Sequence, residues 1–332
     1  MNCFDYGFAD GRPWLMLPSA SSGYEHPLKA IEAMNGHTGP RMIGTHTVTV
    51  RNAVAVLNVI GPILRYANSR YVSTEVLALD FRAALDNVAI KAIVLNIDSP
   101  GGEASGISEL AETIYAGRSK KKVVAYIGGT GASAAYWIAS AASQIVIDAT
   151  ALVGGIGAAA ELRKPTGPAP IVSRNAPNKR PDLNTEKGRA VAAGPIDALG
   201  EFFAQRVARN LGVKPDQLLK MGDHGGTKVG AAAVKAGLAH SLGSLDGLVA
   251  SLNAGRPFVQ SEPVKKAVAP RATKSNPPVP AYLNRNAPVV TTAAPAGPDS
   301  LEPSVTTDSI WRQRTARRHQ SVAGTKPSNH QN

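Results

Sequence analysis

The stretch GGTGASAAYWIASAASQIVI, Gly128–Ile147, consists almost wholly of glycine, alanine and serine around one Tyr-Trp pair. It follows an apolar run, KKVVAYIG (Lys121–Gly128), and ends in another, QIVIDA (Gln144–Ala149). A strand leading through a glycine turn into a helix fits this order, and small residues let such a helix pack tightly. Ser133 then falls at or just before the helix N-terminus. A hydroxyl there lies among free backbone N–H groups and the positive end of the helix dipole, which favour developing negative charge. The simpler role is also open, because serine is a favoured N-cap. The glycines before it, Gly131 among them, leave room for a second backbone or a substrate to approach.

Working upstream, VAVLNVIGPI (Val54–Ile63) reads as a buried strand closed by Gly-Pro. STEVLALDFRAALDN (Ser73–Asn87) opens with a capping serine and spaces its apolar residues as an amphipathic helix does. KAIVLNID (Lys91–Asp98) is a second core strand, and ISELAETIYAG (Ile107–Gly117) a second helix with Ile107, Leu110 and Ile114 on one face. Alternating strands and helices predict an α/β fold of right-handed crossover units. Downstream, the reading places a helix at about Ala158–Leu162 and a short strand at Pro170–Ser173. A long helix over about Thr185–Leu211 and a helix, short strand and helix across Gly230–Leu252 complete it.

The chain of 332 residues carries a formal charge of +12. From Gly255 onward there are eleven Lys/Arg against four Asp/Glu, and eleven of the 24 prolines, with little aliphatic periodicity. That composition predicts a basic, disordered tail over residues 255–332, preceded by an extension (1–45) and a folded domain (46–254). No zinc-finger spacing, basic helix or aromatic RNA-binding signature occurs, so no specific nucleic-acid partner is expected. The single cysteine, Cys3, excludes an internal disulfide framework and points to a reducing compartment. Without a secretory pattern or a run of roughly 20 apolar residues, a cytoplasmic, membrane-free protein is expected.

The second motif is Asp98-Ser99-Pro100-Gly101-Gly102, which closes a core strand and precedes a helix. Pro100 sets the turn, and Gly101 and Gly102 let main-chain amides face a cleft with no Cβ in the way. An oxyanion hole needs two donors about 3 Å from the developing alkoxide. Gly102 can supply one, and Ala134, the residue after the serine, the other. A histidine base soon after the serine is excluded, since no histidine lies between His46 and His224. A lysine is the better candidate. Used near neutral pH, a lysine base must be brought from about 10.4 to about 7–8 by burial or cationic neighbours.

Together these motifs resemble the Ser-Lys peptidases of the signal peptide peptidase A family, S49, within the Clp protease/crotonase superfamily. The resemblance runs from Val54 to Leu252 through VAVLNVIGPI, IDSPGG, GASAAYWIASAASQIVID with ATALVGGIG, and GAAAVKAGLA. Through SRNAPNKRPDLNTEKGRA (Ser173–Ala190) the closer likeness is to phage head-maturation proteases. The resemblance implies a Clp/crotonase-like fold of repeated β-β-α/β-α units, with Ser133 as nucleophile and Lys179 as general base. Lys164 and Lys187 are nearby rivals for that base. It also implies capsid or scaffold proteins as substrates, a homo-oligomer, and no metal or organic cofactor. One departure stands out: where relatives carry a hydroxyl in a G-S-I-G turn, this chain reads Gly154-Gly155-Ile156-Gly157. Ser173 is one candidate to replace it. His224 reads as a surface residue, Asp98 as a turn cap, and Tyr136 and Trp137 as packing. An acyl-CoA enzyme of the crotonase type and an inactive assembly protein of the same fold are the alternatives.

Overall fold

A computed structural model of the chain describes residues 14–16, 39–67, 71–160 and 171–256. The short strand β1 (Trp14–Met16) comes first, then a hairpin of β2 (Val48–Arg51) and β3 (Val54–Ile60). Helix α1 (Thr74–Asp86), β4 (Ala92–Ser99), β5 (Gly101–Glu103) and α2 (Ile107–Gly117) follow. Next come β6 (Lys122–Ala132), α3 (Ala134–Ser140), β7 (Gln144–Ile147) and β8 (Leu152–Gly154). The remainder is α4 (Glu186–Leu211), α5 (Pro215–Met221), β9 (Thr227–Val229), α6 (Gly230–Ala236), β10 (Ser241–Leu242) and α7 (Leu245–Asn253).

The main sheet runs in the order β10-β7-β6-β4-β3-β2, with β8 beside β6 and β9 beside β8, and is parallel except for the β2–β3 and β8–β9 pairs. Strand alternation divides its side chains between two apolar layers. Ala55, Leu57, Val59, Ile93, Leu95 and Ile97 enter the larger core with α1, α2 and α3. Val54, Val56, Val94, Val124 and Val146 face the other way, against Leu248 and Val249 of α7. Every residue of β3 is buried, as expected for a parallel sheet covered on both faces. The predicted α/β class is the observed one.

Most predicted elements are present, with informative differences. The helix expected within Gly128–Ile147 is only Ala134–Ser140. The glycines before it extend β6 as far as Ala132. There β6 forks: Val124–Ile127 pair with β7, whereas Thr130–Ala132 pair with β8. No helix begins at Ala158, and Ile171–Ser173 are not a strand. The rest of those two segments, Lys164, the helix expected at His26–Gly36, most of the N-terminal extension and nearly all of the tail lie outside the described residues.

Small residues let α3 sink into the protein. All seven of its residues are buried, so no face needs a polar side chain. Trp137 stacks on Phe203 of α4 with centroids 4.9 Å apart, and meets Phe202 edge-on at 5.8 Å. The Tyr136 hydroxyl donates to the Leu238 carbonyl at 2.8 Å. Burial pushes that phenol far above its ordinary pKa and keeps it neutral. Both aromatics are packing residues, as the sequence reading has them.

Candidate active site

Two turns converge at the C-terminal ends of β4 and β6. The register of the two strands shifts between Ile97 and Ser99, after which Ser99 lies opposite Gly131. Asp98 accepts from the Thr130 amide at 2.9 Å, and Ser99 Oγ accepts from the Gly101 amide at 3.2 Å. The SPGG turn is thereby tied to the strand that delivers Ser133. Asp98 thus bonds across to β6, and Gly131, two residues before Ser133, lies opposite Ser99.

Ser133 does not behave as an N-cap. Among the described residues three hydroxyls are genuine helix caps: Ser73, Thr185 and Ser244. Each has extended backbone angles, and its side chain accepts from an amide three residues on. Ser133 has φ 55° and ψ −121° and makes no capping bond. A non-glycine residue in that region is strained by about 1–3 kcal/mol. The neighbouring backbone holds it there: its amide donates to the Gly154 carbonyl at 2.8 Å and its own carbonyl accepts from Trp137 at 3.0 Å. A serine on a strained strand-to-helix turn is the arrangement known as a nucleophile elbow. Ser133 is 3% exposed, so it stands at the edge of the interior.

Ala134 follows as the first residue of α3. Among the described residues no carbonyl accepts from its amide. Gly102 lies in β5, which has neighbours on both edges. On one, Ile63 donates to Gly101 O at 3.0 Å and accepts from the Glu103 amide at 2.8 Å. Strand alternation therefore turns the Gly102 amide toward the opposite edge, where β1 pairs antiparallel and Leu15 stands opposite Gly102. Neither glycine tolerates a Cβ: one on Gly102 would strike the Ile63 carbonyl, and one on Gly101 the Leu15 carbonyl. A Cβ on Gly131 would meet the Ile127 side chain at 2.6 Å.

The Gly-Gly-Ile-Gly turn supports Ser133 from behind. Gly154 and Gly155 have φ 122° and 64°, and Gly155 donates to Gly226 O at 2.8 Å. Strand β9 pairs with β8, placing Thr227 opposite Gly154. The segment Gly225–Val229 is thus part of the site's framework, although MGDHGGTKV gives little sign of it beyond its glycines. His224, at φ 49°, is exposed as expected.

The candidate lysine is a surface residue. Lys179 ends a short 3-10 turn, Pro177–Lys179, and is exposed. Its amide donates to Ala176 O at 3.1 Å, and no hydrogen bond joins its side chain to Ser133. Lys187 and Ser173 are likewise exposed. A groove of about 400 Å³, lined by Leu183, Ala192, Ala193 and Ile196, follows the first half of α4 beside this segment. Within the chain the SPGG turn is thus tied to the strand that leads into Ser133, and among the described residues no hydrogen bond links Lys179 to Ser133.

The sequence model of Peptidase family S49 matches residues 116–165, which include Ser133 and the Gly154–Gly157 turn. The head-tail preconnector protein GP5 of Enterobacteria phage P21 is 27% identical over 208 residues, covering 58% of this chain and 41% of that protein. Protease 4 of Haemophilus influenzae is 35% identical over 111 residues, 32% of this chain and 18% of its own length. A putative protease of Methanocaldococcus jannaschii is 36% identical over 74 residues and 24% of its length. The chain thus spans less than half the length of each of these relatives. The resemblance carried by the sequence motifs is to Peptidase family S49, with a phage head protein among the relatives.

Proposed function

We propose that the protein is a serine endopeptidase of Clp/crotonase-like fold, working through a Ser-Lys dyad and an acyl-enzyme. Ser133 Oγ attacks the scissile carbonyl, and Lys179 takes its proton and returns it to the leaving amine. The amides of Gly102 and Ala134 receive the oxyanion, and Gly101 and Gly131 border the peptide. A water deprotonated by the same lysine then releases the acyl group. The observation that carries this reading is the backbone of Ser133, strained and uncapped in a chain whose other helix-starting hydroxyls are relaxed caps.

The exposed position of Lys179 favours a homo-oligomer as the working form. A neighbouring copy seated over the Ser133 cleft would bring a lysine to the serine and remove it from water, the change a lysine base requires. The groove along the first half of α4, lined by aliphatic side chains together with Arg189 and Asp197, is consistent with such contacts. Capsid or scaffold proteins are the proposed substrates, on the strength of the phage relative. The same exposure of Lys179 favours a second reading, an assembly protein that kept the fold and lost the chemistry.

A fluorophosphonate probe separates the two. Labelling of the folded protein that disappears in Ser133→Ala supports the peptidase. An unlabelled, folded and assembled wild type supports the inactive relative.

A further inference from the structure

The outer edge of β5, toward which the Gly102 amide turns, is already occupied by the chain itself. Trp14, Leu15 and Met16 pair with Glu103, Gly102 and Gly101 in antiparallel register. Leu15 has no exposed surface, and Met16 is 9% exposed. Gly101 is compulsory there because the Leu15 carbonyl lies against it, so this stretch of β5 is shaped to have another backbone beside it. An extended peptide added to an exposed strand edge gains main-chain hydrogen bonds along its length, whatever its sequence, and selects through alternate side chains.

We propose that Trp14–Met16 is a built-in occupant of the peptide-binding edge, and that it must leave before a substrate strand can enter. The proposal rests on the peptidase reading for the identity of that edge. Its chemistry follows from the pairing: an extended segment whose central aliphatic residue faces Gly102. The strand is short, three residues within the four that separate Pro13 from Pro18 in sequence. Proline lacks the N–H needed to extend a ladder. An intramolecular occupant with so few ladder bonds is held by its buried Leu15 and Met16 side chains, so placing a charge at Leu15 should release it.

The test uses the full chain, with and without Leu15→Asp, in a Ser133→Ala background so that nothing depends on turnover. The probe is a fluorescein-labelled peptide of residues 12–19, RPWLMLPS. An occupied site lowers apparent affinity in proportion to the fraction of open protein, so Leu15→Asp should bind about ten-fold or more tightly than the parent. Equal affinity in two folded proteins would overturn the proposal. Hydrogen exchange of the parent gives a second reading that needs no substitution at Leu15. The Gly102 amide should exchange by local opening, well before those of Ile93–Ile97 in β4. Exchange as slow as in β4 would make β1 a fixed part of the core and end the idea. Fluorophosphonate labelling of the chain with Ser133 intact reports separately on the peptidase reading.

Discussion

The amide of Ser133 donates to the carbonyl of Gly154 at 2.8 Å, so the strained serine is held by a turn that is itself left-handed. Gly154 has φ 122°, and a Cβ there would stand 2.7 Å from Gly226 O. Gly154→Ala should therefore displace Ser133 as well as strain its own turn. The expected outcome is a loss of about 1–3 kcal/mol of stability, together with slower fluorophosphonate labelling. Chemical denaturation and a labelling time course measure the two effects.

Ser133 should be costly to stability, in contrast to a true cap. Replacing it with glycine relieves the unfavourable φ and ought to raise stability by about 1 kcal/mol while abolishing labelling. Ser73→Ala removes a side chain that accepts from the Val76 amide at 3.1 Å and should lower stability by about 1 kcal/mol. Opposite signs for two helix-starting serines, measured by denaturant midpoint, are the expected signature.

Lys179 is exposed and makes no ion pair among the described residues. Lys179→Met is accordingly expected to leave stability within about 0.5 kcal/mol of wild type. Hydrolysis of a protein substrate should nevertheless fall to background if the lysine is the base. A large stability loss with retained hydrolysis would assign it a structural role instead.

Trp137 joins α3 to α4 through its stack on Phe203. Trp137→Ala opens a cavity beneath the Ser133 turn and should cost about 3–5 kcal/mol. Thermal unfolding followed by far-ultraviolet circular dichroism would register it as a strongly lowered midpoint.

Much of the framework is legible along the chain because it rests on local periodicity. The α2 boundaries Ile107–Gly117 are those expected, since Gly106 precedes the first apolar residue and Gly117 packs where the Phe81 ring leaves no space for a side chain. Strands β3 and β4 are legible as runs rich in Val, Ile and Leu, each interrupted by one asparagine, Asn58 and Asn96. Residues 158–160 are not helical and 171–173 are not a strand, because short patterns near glycine and proline carry too little periodicity to fix an element. Strands β5, β8 and β9 escaped notice because each is three residues long and glycine-bordered. Such strands exist only through their partners.

The candidate site divides along the same line. Ser133, Gly102 and Ala134 could be named from turn chemistry, since a serine or glycine between a strand and a helix limits what the local backbone can offer. That Ser133 is strained rather than capping depends on Gly154 and Trp137. That Gly102 faces Leu15, 87 positions earlier in the register of β1 and β5, depends on a pairing with no local trace. Sequence alone determined the α/β alternation, the turns and the types of reactive group, because those follow from side-chain spacing and backbone preference over a few residues. Tertiary structure alone decided which way the Gly102 amide turns, that β1 lies on the β5 edge, and that Lys179 stands exposed. Those are distances between segments remote along the chain, and only packing sets them.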